Sequence, residues 1–114
     1  MVWTSDAILH NTRIPESLAV IGVGAIGLEF SLRYARLGSA VTLVSRSDIL
    51  PEFPSQFGER IASIYQHEGI RVLTHRHVAR IGRDQSGAFT IETEGAESIA
   101  PIVCQRILLA TGRR

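Results

Sequence analysis

The apolar positions of this chain change period several times, and each change marks an element. Residues 18–21 (Leu-Ala-Val-Ile) form an unbroken apolar run that predicts a first strand. From 25 to 37, Ile26, Phe30, Tyr34 and Leu37 return at helical spacing, and Gly38 stands where a glycine usually ends such a helix. Residues 41–44 (Val-Thr-Leu-Val) are again nearly all apolar, as in strands buried within a parallel sheet. Residues 47–56, with Pro51 and Pro54, read as a loop. An amphipathic helix follows over 57–67, with Ile61, Ile64 and Tyr65 toward the sheet and Gly69 at its end. Residues 70–73 then predict a third parallel strand.

Beyond residue 77 the period shortens to two. An antiparallel meander is expected over 77–99, with turns at 84–87 (Asp-Gln-Ser-Gly) and 94–95. The apolar run 107–110 then predicts a fourth parallel strand, while 1–17 reads as a lead-in stiffened by Pro15. The expected fold is α/β: a Rossmann-like βαβαβ unit with a central parallel sheet, an antiparallel β-meander and a final parallel strand. At 114 residues, 45% of them apolar, this is one domain with room for a real core.

The first predicted strand runs directly into Gly22-x-Gly24-x-x-Gly27 and then into the first helix, the context a dinucleotide-binding turn requires. Gly22 allows the tight turn, Gly24 lets the backbone approach a pyrophosphate, and Gly27 lets the helix pack closely on the sheet. The helix opening near Ala25 and Ile26 points unpaired N–H groups at the phosphates. Gly22, Gly24, Ala25, Ile26 and Gly27 are therefore the candidate phosphate-binding residues.

The nucleotide is read at the end of the second strand, where NAD-binding domains carry an acidic residue about 20 positions on. Here Ser45 and Arg46 stand there. A neutral hydroxyl beside a guanidinium favours a 2′-phosphate, so NADP(H) is preferred over NAD(H). Asp48 is close enough to take the ribose hydroxyl instead.

Charge excludes other partners. Twelve Arg, no Lys and eleven acidic residues leave a net charge of +1 without a basic stripe, which argues against nucleic acid or a membrane surface. There is no apolar run near the roughly 18 residues of a membrane span and no leader-like start, so a cytoplasmic location is expected. Cys104, the single cysteine, can form neither an internal disulfide nor a CxxC pair, and reads as a small buried hydrophobe beside the last strand. His75 and His77 would share one face of a strand but lack a third ligand, so no metal is expected. No serine lies in a nucleophile elbow.

Taken together, Trp3-Thr4-Ser5, Ile14-Pro15-Glu16-Ser17-Leu18, Gly22-x-Gly24-x-x-Gly27-x-Glu29, the meander and Ala110-Thr111-Gly112-Arg113-Arg114 span nearly the whole chain. This set resembles the pyridine-nucleotide domain of the flavoprotein disulfide oxidoreductases, the group of dihydrolipoamide dehydrogenase, glutathione reductase and mercuric reductase. The resemblance implies a parent enzyme that passes hydride from NAD(P)H to FAD and on to a disulfide or similar acceptor, and that works as a homodimer. The chain would then be a domain excised from that enzyme, binding nucleotide but neither holding FAD nor turning over alone.

The resemblance also suggests roles for single residues. Glu29, expected in the first helical turn, matches a glutamate that pairs with a lysine near the flavin; stabilising its own helix would explain it equally. Val78 is expected near the adenine and Gly112 near the nicotinamide. Ala25 stands where glutathione reductase has a tyrosine over the nicotinamide pocket, and Glu52 where it has a second arginine, two departures from that pattern. Ser45 and Arg46 resemble mercuric and glutathione reductases more than dihydrolipoamide dehydrogenase. The alternative of another class is a non-catalytic nucleotide-sensing Rossmann module.

Overall fold

The computed structural model describes residues 2–4, 14–22, 24–47, 49 and 53–110. Among these the elements run β1 (Val2–Thr4), β2 (Ser17–Ile21), α1 (Ala25–Arg36), β3 (Ala40–Val44), α2 (Ser55–His67), β4 (Arg71–Leu73), β5 (His77–Arg83), β6 (Phe89–Glu94), β7 (Ile102–Cys104) and β8 (Arg106–Leu109). Five strands form a parallel sheet in the order β1-β8-β2-β3-β4, and β5-β6-β7 form a separate antiparallel sheet.

The unbroken apolar runs follow from burial on both faces of the parallel sheet. Leu18 and Val20 of β2 join Leu43, Ile70 and Leu108 in a core beneath the helices. Their neighbours Ala19 and Ile21 face the other way, with Val44 and Ile107, against Phe89, Ile91, Ile102 and Cys104 of the meander. Helices thus cover one face and the small antiparallel sheet covers the other.

Two strands were not predicted. β1 lies within the expected lead-in and pairs with β8 in the register Val2↔Ile107, Trp3↔Leu108, Thr4↔Leu109. Three residues carry too little periodicity to declare a strand, and the partner lies about a hundred residues away. The third meander strand is β7, beyond the expected end at 99; Ile102 and Cys104 are buried while Val103 between them is 59% exposed. Its pairs Phe89↔Cys104 and Ile91↔Ile102 place the apolar side chains under the sheet.

Both helices are turned differently from their apolar patterns. In α1, Gly27, Leu28, Phe30, Ser31 and Tyr34 are buried, whereas Ile26 and Leu37 are 46% and 52% exposed. Gly27 sets this rotation, because a Cβ there would lie 2.6 Å from the Gly22 carbonyl oxygen and 3.1 Å from the Ala110 Cβ. Only a glycine can come that close. Gly58 does the same in α2, where a Cβ would lie 2.5 Å from the Ile49 carbonyl oxygen. Tyr65 is buried there and donates its hydroxyl to the Leu28 carbonyl at 3.0 Å, while Ile61 packs against the core and Ile64 stays 50% exposed. Gly38 follows α1 at φ 109°, the left-handed turn expected of it. Among the described residues no helix is long and apolar enough to cross a membrane.

The close contact at Gly27 is testable by denaturant unfolding. Gly27→Ala is expected to lower stability by about 1–3 kcal/mol through overpacking. Gly24→Ala, whose Cβ would meet nothing within 4 Å, serves as the control and should leave the midpoint nearly unchanged. Equal losses in the two variants would show that helix-to-sheet contact at Gly27 is not limiting.

Candidate nucleotide-binding site

The site forms where β2, β3 and β8 end. Sheet hydrogen bonding continues one residue past β2, with the Gly22 amide donating to the Val44 carbonyl at 2.8 Å and the Ala110 amide to the Ile21 carbonyl at 2.9 Å. Gly22 then turns the chain at φ 108°, a conformation that favours glycine. Gly24 is the extended N-cap of α1; its carbonyl accepts from the Leu28 amide at 3.0 Å, and no side chain caps the helix. The first-turn amides of α1 are thus left for an external acceptor, and the space above Gly24 is open. The chain proceeds from β2 outward through β3 to β4 and returns on the other side of β2 as β8, so this is the topological switch point of the sheet.

A cavity of about 580 Å³ opens there. Gly22 and Gly24 line it with apolar Ile21, Val44 and Ala110. The loop after β3 contributes Ser45, Arg46 and Ser47, and the segment after β4 contributes Arg76, His77 and Val78. Five residues singled out in the sequence, Gly22, Gly24, Ser45, Arg46 and Val78, therefore meet at one cavity. Its ionisable lining residues, among those described, are two arginines and a histidine, with no carboxylate.

Ser45 is 2% exposed and fully engaged in shaping its own loop. Its hydroxyl donates to the Ser47 carbonyl at 2.8 Å and accepts from the Ser47 amide at 3.1 Å. Its backbone is clamped as well, the amide donating to the Leu73 carbonyl at 2.8 Å and the carbonyl accepting from the Arg76 amide at 2.9 Å. With its proton committed, this hydroxyl retains one lone pair, which can accept from a ribose hydroxyl but cannot donate to a phosphate. Its structural work is to present Arg46, which is exposed and forms no hydrogen bond or ion pair with another described residue.

The other described candidates, Ala25, Ile26, Gly27 and Glu29, do not line the cavity. Ala25 and Ile26 are exposed on the first turn of α1, and Gly27 is buried beneath it. Glu29 is the fifth residue of α1 and not part of its first turn, which holds no acidic residue. The helix begins at Ala25 as expected, so Glu29 stands just past the turn where the dipole acts most strongly, and its exposed carboxylate pairs with Arg33 at 3.3 Å. His75 and His77 do not share a strand face either, because His75 precedes β5 at φ 58°, while His77 Nε2 sits 3.0 Å from Glu94 Oε1. Among the described residues no three His, Cys, Asp or Glu side chains cluster. Asp48, Glu52 and Gly112 lie outside the described residues.

Arg76 and His77 were missed as site residues. The signal was available, since residues just after β4 reach the same sheet end as residues just after β3. Arg76 is only 7% exposed. Its Nε donates to Thr93 Oγ1 at 2.8 Å, its Nη1 to the Glu97 backbone carbonyl at 2.8 Å, and its Nη2 to the Thr93 carbonyl at 3.4 Å.

Known proteins share this arrangement. The family described as pyridine nucleotide-disulphide oxidoreductase matches residues 1–114. Mercuric reductase from Shewanella putrefaciens is 36% identical over 111 residues, covering 97% of this chain and 19% of that protein. The chain thus spans about a fifth of the length of the curated relatives it matches. Among solved structures, the HOCl-induced flavoprotein disulfide reductase RclA from Escherichia coli aligns with TM-score 0.84 and 27% identity over 99% of this chain and 25% of its own. The water-forming NADH oxidase from Lactobacillus brevis, bound to NADH, aligns with TM-score 0.84 and 21% identity over 97% of this chain and 25% of its own. Its engineered NADPH oxidase form, bound to NADPH, gives 0.83 and 21% over the same shares.

Cys104 lies away from the cavity, 3% exposed in the core between the two sheets, where burial pushes its thiol pKa up. The raised value means that folding favours the neutral thiol. That contribution is complete below the ordinary thiol range and is lost as pH rises through the folded value. In the folded chain Cys104 should react with a neutral thiol reagent far more slowly than in denaturant at pH 8. Rapid native labelling would contradict this burial.

Proposed function

Since the chain belongs to the pyridine nucleotide-disulphide oxidoreductase family, we propose that it binds NADPH as the pyridine-nucleotide domain of a flavoprotein oxidoreductase that passes hydride from NAD(P)H to FAD and on to a disulfide or similar acceptor. The observation that carries this reading is the cavity at the switch point, with Gly22 and Gly24 lining it and only basic ionisable groups among its described lining residues.

The residues present fit such a ligand. The amides of Ala25, Ile26 and Gly27 would receive the pyrophosphate, which approaches over Gly24, where a Cβ would meet no protein atom within 4 Å. Arg46 would hold the 2′-phosphate with its planar fork, a geometry suited to two parallel hydrogen bonds. Ser45 orients the Arg46 loop through its two bonds to Ser47. Val78, half-buried against the meander-side core, supplies an apolar wall for the adenine, and Gly112 is proposed for the nicotinamide end. When bound, the reduced nicotinamide supplies the hydride. To serve near a flavin, Glu29 would exchange its Arg33 partner for a lysine from elsewhere.

The choice between the two nucleotides rests on side chains. The Lactobacillus brevis oxidase bound to NADH and its engineered form bound to NADPH align with this chain at TM-scores 0.84 and 0.83, which supports a fold that accommodates either nucleotide. The chain holds a single Gly-x-Gly-x-x-Gly turn, which builds one dinucleotide site. We assign the flavin, a redox cysteine pair and the contacts of a cytoplasmic homodimer to sequence outside these 114 residues, in keeping with the fraction of the mercuric reductases that the chain spans.

Titration calorimetry with NADPH and NADH tests the reading. The unaltered chain should prefer NADPH, and Arg46→Ala should lower the ratio of the two affinities about tenfold or more, the worth of a charge-assisted hydrogen bond. An unchanged ratio would refute the role of Arg46.

A further inference from the structure

We infer that Arg76 is a second cation of this site and, with Arg46, sets its preference for a 2′-phosphorylated nucleotide; the inference rests on the NADPH reading above. Arg76 lines the same cavity as Ser45 and Arg46, and its backbone amide donates to the Ser45 carbonyl at 2.9 Å. It therefore stands directly beside the residue from which the ribose is read.

Its chemical situation differs from that of a surface arginine. The residue is 7% exposed, yet its three side-chain hydrogen bonds all end on neutral oxygens, those of the Thr93 hydroxyl and the Thr93 and Glu97 carbonyls. Among the described residues no carboxylate forms an ion pair with it. A guanidinium offers five N–H donors, so three bonds leave capacity for a ligand. A buried charge without a counter-charge is costly, and an anion entering the adjoining cavity relieves that cost.

The guanidinium is also held in place. A Cβ added at Gly95 would come within 2.8 Å of Nη1 and 3.1 Å of Cζ, so the turn after β6 packs directly on it. Arg46 is exposed and its field is screened by water, whereas the field of Arg76 acts through protein. His77, which also lines the cavity, has a carboxylate beside it, its Nε2 lying 3.0 Å from Glu94 Oε1.

The test is calorimetric binding of 2′,5′-ADP and 5′-AMP, which differ only in the 2′-phosphate, to the full chain and to Arg76→Met. The unaltered chain should bind 2′,5′-ADP more tightly, and Arg76→Met should reduce that ratio about tenfold or more while 5′-AMP binding changes little. Arg76→Gln keeps donors toward Thr93 and Glu97 without the charge, and should show the same selective loss if Arg76→Met fails to fold. Arg76→Lys, which restores charge, should recover part of the preference. Equal weakening of both ligands, or an unchanged ratio, would overturn the inference and leave Arg76 a structural clamp. Equal affinity for the two ligands in the unaltered chain would instead overturn the NADPH reading and this inference with it. A ratio lost in Arg46→Ala but intact in the Arg76 variants would overturn this inference alone.

Discussion

The close approach of α1 to the sheet is the constraint from which the rest of the structure follows. Gly27 presses against the Gly22 carbonyl and the Ala110 side chain, with no room for a Cβ. That contact fixes the rotation of the helix, which buries Phe30, Ser31 and Tyr34 and leaves Ile26 in solvent. Just before that contact, Gly24 is the N-cap of the helix, whose first-turn amides no side chain caps. The packing contact and the candidate site therefore meet at one turn. Ser31 shows what the tight fit demands, since a small side chain is accommodated at 0% exposure although its hydroxyl finds no partner among the described residues.

Strand polarity turns this local contact into a site. All five strands of the main sheet run parallel, so their carboxyl ends lie along one edge. Loops after β2, β3 and β4 converge there, and backbone bonds from Ser45 to Leu73 and from Arg76 to Ser45 tie the last two together. The meander, packed on the face opposite the helices, closes one wall by bringing Val78 to the cavity and the Thr93 and Glu97 carbonyls to Arg76. The small antiparallel sheet thus supports the site as well as covering the core.

This geometry gives the cavity its electrostatic sign. Gly24, the N-cap of α1, and two arginines line it, and among the described lining residues there is no carboxylate. Ser45, which could be mistaken for a direct phosphate ligand, has its proton committed to Ser47 and acts by holding the loop. In the proposed reading, discrimination between nucleotides falls to the guanidinium groups, whose charge and fork geometry match a phosphate.

The strand and helix order, the glycine turn, the meander and the residues at the end of β3 were legible in the chain because each depends on local signals: an apolar run, a period, or a glycine that the backbone requires. Helix rotation was not legible, because it is set by contact between Gly27 and a carbonyl on another element rather than by the apolar count of the helix itself. β1 and β7 escaped for a related reason, since three residues become a strand only when a partner's hydrogen bonds are already in place. Glu29 was misplaced by count, since the helix starts at Ala25 as expected and Glu29 is its fifth residue, just past the first turn. The sequence by itself determined the fold class and the chemistry of the turn. Tertiary structure alone decided that Arg76, buried and bonded only to neutral oxygens, belongs to the same cavity as Ser45 and Arg46, because the proximity is created by parallel strands ending at a common edge.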